Sequence, residues 1–142
     1  NLFIMKKQQI TEQEIRNQLA QCHGSENHFF IKLFPNLRYT DGVREVCILC
    51  ESYWLLTDVL AHCTNLCKKE EFITIELFKV KDQDSCIIKY TDGNDNMLAE
   101  QKYKLTDFPL NNTNQIIDSE VFTHPAIKFY FCNKVLLLPS EY

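Results

Sequence analysis

Apolar positions along this chain follow two periods, one in each half. From the start to about residue 70 they recur every three to four residues, as on a helix face. Beyond that they lean towards alternation, as on a strand. Ile15, Leu19 and Cys22 make one stripe of a helix over 10–22. Thr11 is its N-cap, Glu14 completes a capping box and Gly24 is its stop. Residues 28–38 are apolar but irregular, and Pro35 pushes Phe34 out of helical geometry; they read as a short helical turn or an extended lid. Thr40 or Asp41 then caps one long helix over 43–67. It is apolar on nearly every side, from Val43, Val46 and Cys47 to Val59, Cys63 and Leu66, and such a helix is buried on nearly every side. Lys68 and Lys69 suit the negative end of its dipole.

The second half predicts strands over 72–80, 86–91 and 97–105, and a closing hairpin over 127–132 and 134–138 that turns near Asn133. The turn of Asp92, Gly93, Asn94, Asp95 and Asn96 is the clearest in the chain. Pro109 ends the third strand, and 111–126 reads as a loop with a short helical turn near 118–122. Helices followed by strands on short turns predict an α+β fold. In it an N-terminal helix and one long buried helix pack on an antiparallel sheet of about five strands.

Length adds that one domain over 1–142 is the default, with 5–70 mainly helical and 71–142 mainly strands. Asn1 to Ile4 precede Met5, which reads as a native start, and they are set outside the fold. No apolar run approaches the roughly 20 residues that span a bilayer, and no export signal is visible, so a cytoplasmic location with no membrane partner is expected. Net charge is −4, with 15 Lys and Arg against 19 Asp and Glu, which lowers the expectation of nucleic-acid binding. The seven cysteines are an odd number and a chain of this size needs no staples, so reduced thiols are expected.

Several segments, in order, resemble a known pattern. They are Gly24-Ser25-Glu26-Asn27 before an aromatic pair, Tyr39-Thr40-Asp41-Gly42-Val43, Tyr53-Trp54-Leu55-Leu56, Asp92-Gly93-Asn94, Thr106-Asp107-Phe108-Pro109-Leu110 and Leu137-Leu138-Pro139-Ser140-Glu141-Tyr142. Together they look like a family of small uncharacterised bacterial proteins, a domain of unknown function often found near mobile elements. The resemblance covers residues 11–142. The cysteines of the long helix, and Thr57 before Asp58 where the family pattern implies an acidic residue directly after the Leu-Leu pair, depart from it. It implies a shared fold and transfers no catalytic residue.

The candidate chemistry is sparse. Cys47 and Cys50 lie about four turns from Cys63 and Cys67 on the expected helix, roughly 20 Å between the nearer members, so they cannot share a zinc ion; they read as core. Cys63 beside His62 is a poor thiol–base pair, because helix neighbours diverge, and Cys22 beside His23 lies at a helix C-terminus, where the dipole disfavours a thiolate. No glycine-rich phosphate loop exists among the three glycines. No metal or cofactor is expected. Asp41, Asp92, Asp95 and Asp107 have cap or turn readings. Asp58 has none: a carboxylate among apolar neighbours needs a partner, either a Lys or Arg at an edge or a functional site. Trp54 and Tyr53, with Phe29, Phe30 and Phe34, are core or a patch that grips a partner. Trp54, Tyr53, Asp58 and Tyr39 are thus the candidate binding residues, with no catalytic residue assigned. The leading expectation is a non-enzymatic binding or accessory protein acting through protein contacts or self-association. The alternative is a small enzyme with an acidic, tyrosine and histidine site around Asp58. Nucleic-acid binding through Lys and Arg around 32–44 and 79–104 stands third.

Overall fold

The helices supply one layer and the main sheet the other, with two of its strands drawn from the first half of the chain. The computed structural model describes residues 10–24 and 26–142, so the reading of residues 1–4 lies outside the described residues. Helix α1 (Glu12–Leu19) starts at Thr11, whose side chain accepts from the Glu14 N–H. It ends earlier than expected, with Ala20 as C-cap; Gly24 takes its left-handed φ of 66° farther along the loop. Residues 28–40 carry the short strands β1 (His28–Phe29) and β2 (Arg38–Thr40), joined by turns, rather than a helical turn or a lid.

The expected long helix is two helices, α2 (Asp41–Leu49) and α3 (Tyr53–Leu66). The break has the hydrogen bonds of a left-handed C-terminal cap. Ser52 N–H donates to Cys47 O at 2.9 Å and Glu51 N–H to Ile48 O at 3.4 Å, with Glu51 at φ 49°. Ser52 is fully buried, and its hydroxyl donates back to Val46 O at 3.3 Å. The bend lets both helices lay an apolar face on the sheet, where one straight rod would leave it.

The remaining strands are β3 (Phe72–Lys79), β4 (Cys86–Asp92), β5 (Met97–Tyr103), β6 (Thr113–Ile117), β7 (Glu120–His124), β8 (Ile127–Cys132) and β9 (Val135–Leu137). The main sheet has seven strands in the order β1-β2-β9-β8-β3-β4-β5 and is mixed, where five antiparallel strands were expected. All five expected strands are present; the excess is β1 and β2. They join because β2 runs parallel to β9, with Arg38 opposite Val135 and its N–H donating to Lys134 O at 2.9 Å.

Alternation on β3 divides the sheet's faces. Ile73, Ile75 and Leu77 are buried with Ile88, Tyr90, Phe129 and Phe131, and join Val59, Leu60 and Cys63 of α3 in one core. The outer face is half-buried. One row across it runs Lys128, Glu76, Lys89, Glu100, opposite charges directly facing on successive strands. Tyr142 covers another part, edge-on to Phe72 and Tyr130 at 5.6 Å each.

Residues 111–126 hold a second, two-stranded sheet, β6 with β7, instead of a loop with a helical turn. Asp118 and Ser119, at φ 51° and 69°, make its tight turn. No described helix is long and apolar enough to cross a membrane.

Candidate functional site

The site is built where α3 begins and β5 ends. Trp54, Asp58 and His62 are spaced four apart, so they stack on one face of α3. Tyr103 stands opposite Cys86 on the helix-facing side of β5. Its hydroxyl donates to Asp58 Oδ2 at 2.6 Å, and its ring meets that of Trp54 edge-on, with centroids 5.4 Å apart and planes at 63°. The partner of Asp58 is therefore a phenol from the sheet, where a Lys or Arg was the simple expectation. Burial, and then the Asp58 carboxylate that accepts its proton, push the Tyr103 phenol up from its ordinary value.

One turn on, His62 Nδ1 lies 2.9 Å from Asp58 O, so it is the protonated nitrogen and donates to that carbonyl. The ring stacks on Tyr90 at 4.7 Å. Tyr90 is fully buried, and among the described residues its hydroxyl has no hydrogen-bond partner. Burial first, and then Cys63, Tyr103 and Asp58, hold its phenol protonated.

Tyr53 and Tyr39 are placed elsewhere. Tyr53 points about 100° away from Trp54 around the helix and is 47% exposed. Tyr39 is buried on β2, its ring 5.6 Å from Phe29, and its phenol is raised by burial and next by Tyr53. The fold thus joins Trp54 to Asp58 through Tyr103 and leaves Tyr53 and Tyr39 outside that corner.

Beside the Trp54–Tyr103 corner opens a groove of about 450 Å³, lined by these two rings with Asp84, Leu105, Thr106 and Asp107. The backbone closes its rim, with Thr106 N–H donating to Asp84 O at 2.7 Å and Phe108 N–H to Thr106 Oγ1 at 3.1 Å. Sequence reasoning missed Tyr103 and Asp84 and read Asp107 only as a turn residue. Tyr103 is 45 positions from Asp58, and no local pattern links them. Its only signal is the alternation that puts it on the helix-facing side of β5.

The cysteines do not meet in a metal site: among the described residues no group of three or more His, Cys, Asp or Glu could hold a metal ion. Burial pushes the Cys47 and Cys50 thiols up to about 12, the reverse of what a nucleophilic thiol needs.

A second surface stands apart from this corner. Every residue of β6 and β7 is exposed, including Ile116 at 73% and Val121 at 62%. The feet of this arm are nevertheless held. Arg16 Nη2 donates to Asn111 O at 2.8 Å and Ala126 O at 3.0 Å, one at each foot. Glu12 accepts from Asn111 N–H and Nδ2, each at 2.9 Å. Asn112 exchanges two hydrogen bonds with the Lys79 backbone, at 2.9 and 2.8 Å. Phe108, Leu110 and Ala126 are buried at the root.

Comparison with curated proteins and with solved structures returned no match. A model of a family of unknown function matches residues 13–120, a span that holds α1 but for Glu12, both α2 and α3, the groove, and β6 with the first residue of β7. The chain belongs to that family, DUF6876, a family of unknown function.

Proposed function

We propose that this chain is a non-enzymatic binding or accessory protein that works through protein contacts. The observation that carries the reading is the β6–β7 arm, fixed at its feet and bare along its length. An isolated two-stranded hairpin is marginal in water. Here α1 spends Glu12 and Arg16 on fixing the direction of one that shows Ile116, Val121 and Phe122 to solvent. Ile116 faces Val121 on one side of the hairpin, and Ile117 shares the other side with Phe122; exposed apolar side chains paired in this way on a held support mark interaction surfaces. The rival enzymatic reading has less support. The Asp58 carboxylate is committed to Tyr103, and His62 Nδ1 to its own helix.

The test places a photoactivated crosslinking residue at Phe122 on the arm and, as a control, at Lys89 on the outer sheet face, in cells that express the chain. A discrete adduct from 122 alone, lost on Ile117→Asp, which changes a neighbour on the same face, is the expected result. Absence of an arm adduct, together with a monomer at every concentration, overturns the reading. So does a catalytic turnover abolished by Asp58→Asn or His62→Ala.

A further inference from the structure

The groove under Trp54 has the chemistry of a cation receptor. Its walls are two aromatic rings at 63° to one another, so they present π faces in two directions. The hydrogen bond of 2.6 Å from Tyr103 to Asp58 holds one wall in place, and the first turn of α3 holds the other. Asp84 and Asp107 share the lining. Both are exposed, and among the described residues neither carboxylate has a hydrogen bond or ion pair. No lysine or arginine lines the groove itself; Lys79 and Lys81 line the adjoining cavity that shares Asp84 and Thr106. Two unneutralised carboxylates in the same groove as a Trp–Tyr corner complement a flat, delocalised cation better than an ammonium. A guanidinium stacks on an indole face and donates its forked N–H groups to a carboxylate at once. The groove, of about 450 Å³, is large enough for such a side chain with its stem, and Leu105, 81% exposed at the rim, offers that stem an apolar neighbour.

We infer that this groove receives an arginine side chain presented by a partner protein. The inference rests on the protein-contact reading above but uses none of the arm's own side chains, so arginine binding that survives removal of the arm tip is distinguishable from contact through the arm. Trp54 is the sole tryptophan, and its fluorescence reports on the groove directly.

The experiment titrates the full chain with a short unstructured peptide carrying one arginine among neutral residues, and with the same peptide carrying citrulline, which keeps the shape and loses the charge. The expected result is a saturable change in Trp54 emission with the arginine peptide. It weakens roughly tenfold or more with citrulline and likewise in the Asp84→Asn/Asp107→Asn variant, whose circular dichroism matches the parent. Asp84 and Asp107 are exposed and, among the described residues, make no hydrogen bond through their carboxylates, so the substitutions leave the fold intact. Removal of the arm tip leaves this binding unchanged. The inference is overturned by no saturable change up to about 1 mM peptide, by equal response to citrulline, or by full binding in the double variant. Tetramethylammonium chloride that saturates the site as tightly as the peptide also overturns it, because the receptor would then serve a free small cation.

Discussion

Gly42 and Glu141, 99 positions apart, show how one atom's worth of space ties two distant motifs together. Thr40 caps α2 by accepting from the Val43 N–H at 3.3 Å. Its hydroxyl in turn donates to Glu141 Oε1 at 2.6 Å, and the other carboxylate oxygen accepts from the Gly42 N–H at 3.1 Å. Glu141 Oε1 also accepts from Leu138 N–H at 3.0 Å. A carboxylate at a helix N-terminus is favoured by the dipole and by N–H groups without helical partners. It reaches them only because residue 42 has no Cβ: an added one would overlap the Glu141 carboxylate and lie 2.8 Å from Leu138 Cδ1. Gly42→Ala should therefore cost about 2 kcal/mol, the ordinary cost of overpacking plus a lost charge-assisted bond. Glu141→Ala should cost about 1–3 kcal/mol. In the Glu141→Ala background the alanine at 42 should cost much less, and urea unfolding of the four proteins measures the coupling. Additive losses would mean that the carboxylate does not occupy that seat. At this scale the sequence was half legible. Thr40 reads as a cap and Gly42 as part of a turn, but the partner that makes glycine necessary is a long-range contact.

Elements were legible where local chemistry and tertiary demand agree. The Asp92 turn is one case. Its carboxylate accepts from Asn94 N–H at 2.7 Å and Asn96 N–H at 3.0 Å, as an Asx turn should, although the left-handed residue is Asp95 rather than Gly93. The α2–α3 break is the opposite case. Cys50, Glu51 and Ser52 hold neither glycine nor proline, and the apolar pattern runs through them, so periodicity predicts one rod. The arm was illegible for a related reason. Its exposed strands lack a buried face, and alternation is a signal of half-burial. The β8–β9 hairpin turns on Asn133 and Lys134, at φ 52° and 62°. Asparagine tolerates that region, whereas lysine pays the Cβ penalty there. Lys134→Gly should therefore raise stability by roughly 0.5–1 kcal/mol, the penalty less the added freedom of the unfolded chain. The backbone carbonyl that accepts from Arg38 stays in place. Thermal or urea unfolding reads the gain; a loss would mean that the lysine side chain contributes more than its backbone costs.

At the scale of the whole molecule, the buried thiols Cys47 and Cys50 and the phenols of Tyr90 and Tyr103 are held protonated by the core that the helices and sheet close, which makes stability fall at alkaline pH. Cys47 and Cys50 sit at about 12 against an ordinary value near 9, raised first by burial, and for Cys47 next by Cys50. Tyr103 and Tyr90 are raised by burial and by their acidic neighbours. For an acid raised on folding, the unfolded chain loses its proton first. Above about pH 9 it binds fewer protons than the native state, and the unfolding free energy falls as pH rises. The stabilisation is intact below the ordinary thiol value and is lost progressively towards about pH 12, by at most roughly 1.4 kcal/mol per pH unit for each such group. Urea midpoints taken under reducing conditions from about pH 8 to pH 10.5 should fall steadily. Cys47→Ala/Cys50→Ala will be less stable throughout, because it leaves space in the core, but its decline should be shallower. Equal slopes for the two proteins would show that these thiols ionise in the native state as readily as in the unfolded chain. The cysteines would then lie outside the closed interior that α2, α3 and the sheet form around them.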